Sequence, residues 1–321
     1  MAATARSAII TGPAKITHNS LSVHTQGNIT VREVLDTFPV VVDAYGTIDY
    51  RVSDATVSVG FTPDGRWSAS IQKLLFPYFY VSGSSGFVKP GTDAHTSSDL
   101  PLTIHDSNDH LHTVIAAAVR KMPSLTLGPT RTLLGDCEFI GVRGSAADWN
   151  DANKLYTQAG TGGTLTDAAF TIAQIKTQIY SGIWTAVTGF STAFFTVDGW
   201  TVDAEVQLAP IMIDELGTAK FVVQGVTVMA KCKPLGVTYA NITAALKSQG
   251  TGGQRGRSLA AAGADLTITG EDASSIIVLK NANLKEGGFM FGSTVVRDGE
   301  LAWLATVPFT TGAPGAVMTL A

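Results

Sequence analysis

The stretch TIHDSNDHLHTV places His105, Asp106, Asp109, His110 and His112 close together along the chain. Imidazoles and carboxylates at this density are the donors that hold zinc and related metals. The same letters also spell a hairpin, because Asp, Ser and Asn side chains hydrogen-bond their own backbone in tight turns. His110 and His112 then share one strand face, with His105 across the turn. A later stretch, TITGEDASSIIV, keeps the hairpin pattern without any histidine. The hairpin does not need a metal to form, so the expectation is a solvated turn, and no metal ligand is assigned.

Other candidate chemistry is weaker. GTGG occurs at 160–163 and again at 250–253. Neither copy ends in the Gly-Lys-Ser/Thr of a phosphate loop, and neither follows a strand as a dinucleotide fingerprint does. SGSSGF has the wrong spacing for a nucleophile elbow. Trp67, Trp149, Trp184, Trp200 and Trp303 form no stacking stripe, which leaves core and interface packing. Arg255 and Arg257 flank the second glycine loop, where an acidic neighbouring subunit is the expected contact in preference to phosphate. No catalytic residue and no cofactor is assigned, so a non-enzymatic role is expected.

Two carboxylates, Asp43 and Asp214, recur at the same place because the chain repeats itself. TFPVVVDAYGTIDYRVSDATVSVGFTPDG, ending at Gly65, aligns without a gap on LAPIMIDELGTAKFVVQGVTVMAKCKPLG, ending at Gly236. Pro39, Asp43, Gly46 and Thr47 pair with Pro210, Asp214, Gly217 and Thr218. A second gap-free match pairs Leu102-Thr103-Ile104 with Leu266-Thr267-Ile268, Val114 with Val278, and Gly135 with Gly299. Self-similarity at a fixed spacing marks a repeated structural unit. The expected architecture is mainly β: two tandem copies of one β-sandwich or barrel domain, over 1–165 and 166–321, each with one short helix.

The elements follow from period and punctuation. Val40 and Val42 alternate with Ile48, Tyr50 and Val52, while Asp49 and Arg51 point the other way, and Val57, Val59 and Phe61 continue the apolar row. A period of two predicts half-buried antiparallel strands. Asp-x-x-Gly between them suits a type I turn closed by a glycine at positive φ. A helix is predicted over 68–76, with Ile71, Leu74 and Leu75 on one face, and its counterpart over 239–248. Cys137 aligns with Leu301 and Cys232 with Phe61, so both are expected as buried thiols. The termini and the loop 82–98 are expected to order only against neighbouring copies.

Composition adds a constraint. Of 321 residues, 45% are hydrophobic and only 15% charged, with a net charge of −4. Soluble chains average about 25% charged residues, so a surface this poor in charge is expected to be covered by other subunits, whose interface cores are depleted in Lys, Glu and Asp. The mildly acidic balance argues against a tight nucleic-acid binder. No apolar run reaches the roughly 18 residues of a membrane helix.

GPAKITHNSLSVHTQGNITVREVLDTFPVVVDAYGTIDYRVSDATVSVGFTPDGRW and KMPSLTLGPTRTLLGDCEFIGVRGSAADWNDANKLYT resemble the major tail tube proteins of long-tailed (siphovirus-type) bacteriophages. DGWTVDAEVQLAPIMIDELGT and RDGELAWLATVPFTTGAP resemble the C-terminal part of the longer members. The resemblance implies a structural virion protein that stacks as rings into the non-contractile tail tube, the conduit for genome ejection. It also implies assembly in the host cytoplasm and residence in the virion tail. The implied partners are further copies of itself, the tape-measure protein and double-stranded DNA in the lumen, and other tail proteins at the tube ends, with no membrane. Family rings present six domains around the axis, so a duplicated chain is expected as a homotrimer with pseudo-six-fold symmetry. The channel-lining candidates are Pro39, Asp43, Gly46, Asp49, Arg51, Asp54, Pro210, Asp214, Gly217, Lys220 and Gln224, with Arg255 and Arg257 at subunit contacts. DNA carries a charge about every 1.7 Å of axis, so a conduit that must release it is expected to have an acidic or neutral lumen, with Asp49 and Asp54 contributing. The alternatives are a single-ring adaptor or tube initiator of the same fold and, more remotely, a metal-binding β-sandwich enzyme using the histidine stretch.

Overall fold

The computed structural model describes residues 14–64, 68–81, 84–85, 90–94, 101–106, 110–128, 132–142, 155–159, 185–187, 195–213, 217–235, 255, 264–270, 276–287, 289–291, 296–307, 309–310, 313–314 and 318–320. Among them the architecture is mainly antiparallel β, with one α-helix. β1 (Lys15–His18) leads into two long strands, β2 (Leu21–Val42) and β3 (Gly46–Pro63), which form the first hairpin. A second long hairpin joins Phe195–Ile213 to Gly217–Leu235. The predicted turn chemistry is present in the first: Tyr45 N–H donates to Val42 O at 2.9 Å, and Gly46 then takes φ 74. Gly217 takes φ 69, while Asp214 lies outside the described residues. A left-handed backbone is open to glycine and penalised for other residues by their Cβ.

The first sheet runs in the order Tyr156–Ala159, Leu111–Val114, Leu102–His105, β1, β2, β3, Cys137–Val142, Ala116–Lys121. The second passes through Thr132–Leu134, Leu125–Leu127, the second hairpin, Leu301–Leu304, Ile276–Glu286, Ala264–Thr269 and Thr185–Val187. Registers recur between the halves. Cys137 lies opposite Phe61 and Phe139 opposite Val59; Cys232 lies opposite Leu301 and Ala230 opposite Trp303. Even the bulges coincide: both hairpins shift register at Asp36/Thr37 and Gln207/Leu208, and at Val40/Val41 and Ile211/Met212. Bulges re-aim side chains and are built features of a strand.

Those bulges correct the simple alternation. Val40 lies directly opposite Asp49 and Phe38 opposite Arg51, so Val40 shares the face of Asp49 and Arg51 and not that of Tyr50. One inserted residue moves every side chain beyond it to the other face. At Asp36/Thr37 the shift has the opposite consequence. Thr37 faces Val52 and Leu35 faces Ala55, so the apolar row crosses from Val52 to Ala55, Val57 and Val59 without leaving its face.

Along the later strands the equivalence runs one residue beyond the sequence match. Leu102 faces Val114, but Leu266 faces Leu279 and not Val278. The loop before Ile276 is longer than the one before Leu111, and the extra residue displaces the register.

Helix α1 (Ala69–Leu75) forms where expected. The Ser68 hydroxyl caps it by accepting from Ile71 N–H at 3.3 Å, Pro77 follows its end, and Ile71, Leu74 and Leu75 are buried. The second predicted helix, 239–248, lies outside the described residues. One apolar cluster runs through both halves, with Trp200 and Trp303 in contact at 5.4 Å between ring centroids. The halves also exchange structure: the ribbon Leu125–Leu127/Thr132–Leu134 comes from the first half of the sequence but joins the second sheet along Trp200–Val202. Two segments expected to order only against neighbours are docked within the chain. Met318–Leu320 pairs with Ile277–Leu279, and residues 91–94 run along the second hairpin, because both satisfy strand-edge backbone groups that would otherwise stay open.

Candidate functional site

The two hairpins match in register but differ in what covers them. Of the large apolar side chains left exposed among the described residues, ten lie on the first hairpin, between Val31 and Val52, and three on the second, at Ile211, Met212 and Ile213. Val52 is 44% exposed, whereas Val223, at the equivalent position, is fully buried. Tyr45, at the tip, is 83% exposed. Apolar side chains left exposed on both faces of one ribbon mark a contact site.

The cover on the second hairpin comes from the first half of the chain. Asp54 is buried, and its carboxylate accepts from Thr218 N–H at 2.9 Å and from the Thr218 hydroxyl at 2.5 Å. Segment 91–94 exchanges backbone bonds with the strand beside it. Gly91 N–H donates to Val223 O at 2.8 Å, Val223 N–H to Thr92 O at 2.9 Å, and Ala94 N–H to Phe221 O at 2.8 Å. Lys220 Nζ reaches Asp93 at 2.8 Å across the same seam. A cleft of about 510 Å³ lined by Arg120, Lys121, Asp203 and Glu205 continues the contact. There burial, eased by Lys231, raises the Asp203 carboxyl above its ordinary range.

The sequence-derived candidates separate accordingly. Pro39, Asp43, Gly46, Asp49 and Arg51 are exposed on the distal first hairpin, and Asp49 accepts from Tyr50 N–H at 2.8 Å. Pro210, Lys220 and Gln224 are exposed on the second, Gln224 being its inserted bulge residue. Gly217 is buried against Asp54. Asp54 itself is withdrawn as a contributor to an open acidic wall, because both its oxygens are engaged inside the seam. Arg255 is exposed in a turn; Asp214 and Arg257 lie outside the described residues.

The histidine stretch is a hairpin whose base is partly buried, while its turn at 107–109, with Asp109, lies outside the described residues. Asp106 is 1% and His112 3% exposed. Asp106 accepts from His110 N–H at 2.9 Å, and its Oδ2 lies 3.2 Å from His110 Nδ1 and 3.4 Å from His112 Nε2. The Tyr156 hydroxyl lies 2.5 Å from His112 Nδ1, and burial, with Asp106 behind it, pushes that phenol above its ordinary range. His105 sits opposite Leu111, one pair away from His112. No group of metal-donor side chains with ligand geometry occurs among the described residues. His112, held by the Asp106 carboxylate, ties the hairpin to Tyr156 on the neighbouring strand, a partner separated too far in sequence to be read from the motif.

Both cysteines are free and buried, as expected, and burial pushes both thiols far above their ordinary range. No helix among the described residues is long and apolar enough to cross a membrane. No protein-family model matches the chain, and no curated protein matches it significantly.

Proposed function

We propose that the chain is the structural subunit of a phage tail tube of the non-contractile, siphovirus type. It is built from two tandem tail-tube-like β domains over 1–165 and 166–321, and polymerises as stacked rings. The observation that carries this reading is the unequal cover of the two hairpins: one arm is covered in part by the chain's own other half, at Thr218 and Val223, and its counterpart is bare. A head-to-tail interface satisfied once inside a molecule and left open at its ends repeats until rotation closes a ring. Three chains supply six domains, giving a homotrimer of pseudo-six-fold symmetry. The low charge content fits a surface consumed by such contacts. Double-stranded DNA and the tape-measure protein are the proposed lumen occupants, bound without sequence preference, with other tail proteins at the tube ends and no enzymatic activity. The setting is the virion tail, after assembly in the host cytoplasm.

Electron microscopy and native mass measurement of the purified protein test the reading. Stacked tubes of three-chain rings are expected. Isolated rings would instead favour an adaptor or initiator of the same fold, true six-fold rings would replace the trimer, and monomers at every concentration would overturn the proposal.

A further inference from the structure

The chain contains two ribbons of identical register, and among the described residues only the first pairs with a further strand. In the first, Leu127 faces Thr132 and Leu125 faces Leu134; in the second, Phe291 faces Val296 and Phe289 faces Asp298. The first ribbon extends the second hairpin, with Thr126 opposite Thr201. The second ribbon pairs with no other strand among the described residues. Its matching edge is on the first hairpin, where Ile29–Val31 occupy the places of Trp200–Val202. There β2 is paired to β3 on one side, and among the described residues no strand pairs with its other side at these positions. The approach requires a bare backbone: a Cβ on Gly199 would come 2.0 Å from Leu127 O. The first hairpin carries its own positive-φ glycine, Gly27, in the same bulge, and nothing lies within 4 Å of where its Cβ would be.

We infer that the paired strands Phe289–Phe291 and Val296–Asp298 of one chain add to the β2 edge at Ile29–Val31 of a second copy, placing Met290 opposite Thr30. The inference rests on the self-assembly reading and specifies its contact. Strand addition satisfies two open edges at once, and an open edge is otherwise a template for unwanted pairing. A second contact follows from the same superposition. Within the chain, Lys220 pairs with Asp93 beside the second hairpin. On the first hairpin the position of Lys220 is held by Asp49, and two residues in sequence from the counterpart of Asp93 lies the exposed Arg255. Both signs are inverted, so the pair between copies is again attractive, while Asp49 against an Asp93-like partner would repel. That inversion favours the joint between copies over a scrambled pairing of the two halves.

Disulfide trapping tests the register. Chains carrying Thr30→Cys and chains carrying Met290→Cys, mixed and oxidised, are expected to give a band at twice the chain mass that neither gives alone. Cys137 and Cys232 stay buried and silent. Tubes or rings seen by microscopy without that mixed band would overturn the inference while leaving the tube reading standing. A Thr30→Cys band without its partner would also overturn it, since that signals a two-fold contact. A chain carrying both substitutions that closes on itself at high dilution would do the same. Absence of any assembly by the unmodified protein would remove the underlying reading first. Charge exchange gives an independent arm at exposed sites: Asp49→Lys and Arg255→Asp should each raise the concentration needed for assembly several-fold, and together restore it. Failure of the pair to restore assembly would exclude the Asp49–Arg255 contact.

Discussion

The Asp54 carboxylate holds Thr218 by two hydrogen bonds, one to its backbone N–H and one to its hydroxyl. A third bond, from Ala55 N–H at 2.8 Å, fixes the carboxylate at the strand bulge. The tip of the second hairpin is thereby anchored on the first. Replacing Asp54 by Ala strands three donors, the N–H and hydroxyl of Thr218 and the Ala55 N–H, which costs about 1–3 kcal/mol for each group left unsatisfied. Urea denaturation of Asp54→Ala should show a loss in that range, with Thr218→Val losing less. A loss below a few tenths of a kcal/mol would show the seam to be unimportant.

Gly217 and Gly46 separate backbone strain from packing. Both have positive φ, so an alanine at either costs roughly 1–2 kcal/mol. At Gly46 the added Cβ meets nothing within 4 Å, whereas at Gly217 it would lie 2.4 Å from Asp54 Oδ1. Gly217→Ala should therefore be clearly more destabilising than Gly46→Ala in parallel thermal melts. Equal losses would mean the seam opens without cost.

Cys137 faces Phe61 in one half, and Cys232 faces Leu301 in the other. At the same cross-strand pair, the small and large partners have changed strands. Cys137→Leu alone adds volume opposite Phe61, and such overpacking costs typically 1–3 kcal/mol. Adding Phe61→Cys recreates the arrangement of the second half and should recover much of the loss. A double-mutant cycle with no coupling would argue that the exchange is accidental.

The thiols also predict an alkaline limb. Both prefer the neutral form in the folded chain, far above the ordinary value of 9.0. The unfolded chain releases these protons first, so it binds fewer protons than the native state above about pH 9, and stability falls as pH rises. Below that value their contribution is constant. Native protein should resist thiol reagents at pH 8 and react only on unfolding. A Cys137→Ala/Cys232→Ala chain should show a shallower alkaline decline in denaturation midpoint.

How much of this was legible in the sequence depends on range. The Asp-x-x-Gly turn at Gly46, the helix with Ile71, Leu74 and Leu75 on its inner face, and the burial of Cys137 and Cys232 are local or repeated signals, and they could be read. The bulges at Ser53 and Ile48 could not, since an inserted residue in a strand has no composition of its own. The Asp106–His112–Tyr156 contact and the docking of 91–94 join distant segments, and both lay beyond any motif. The same limit applies to Asp54: as a letter it is an exposed strand carboxylate, and only the folded second hairpin makes it a buried acceptor.

The bare arm of the first hairpin gives the last prediction. Phe38 is 48% and Tyr45 83% exposed in the single chain, so replacing either with Asp removes little that the chain uses for its own folding. Surface substitutions of this kind usually change stability by no more than about 0.5 kcal/mol. If the arm is buried between copies, the same changes place a charge in an apolar contact, where an unpaired ion is strongly disfavoured. Phe38→Asp should therefore leave the denaturation midpoint of the dilute chain nearly unchanged and abolish assembly in sedimentation. Tyr45→Asp should act in the same direction. A variant that assembles normally would show that this arm faces solvent in the particle, and the contact would have to be sought elsewhere on the fold.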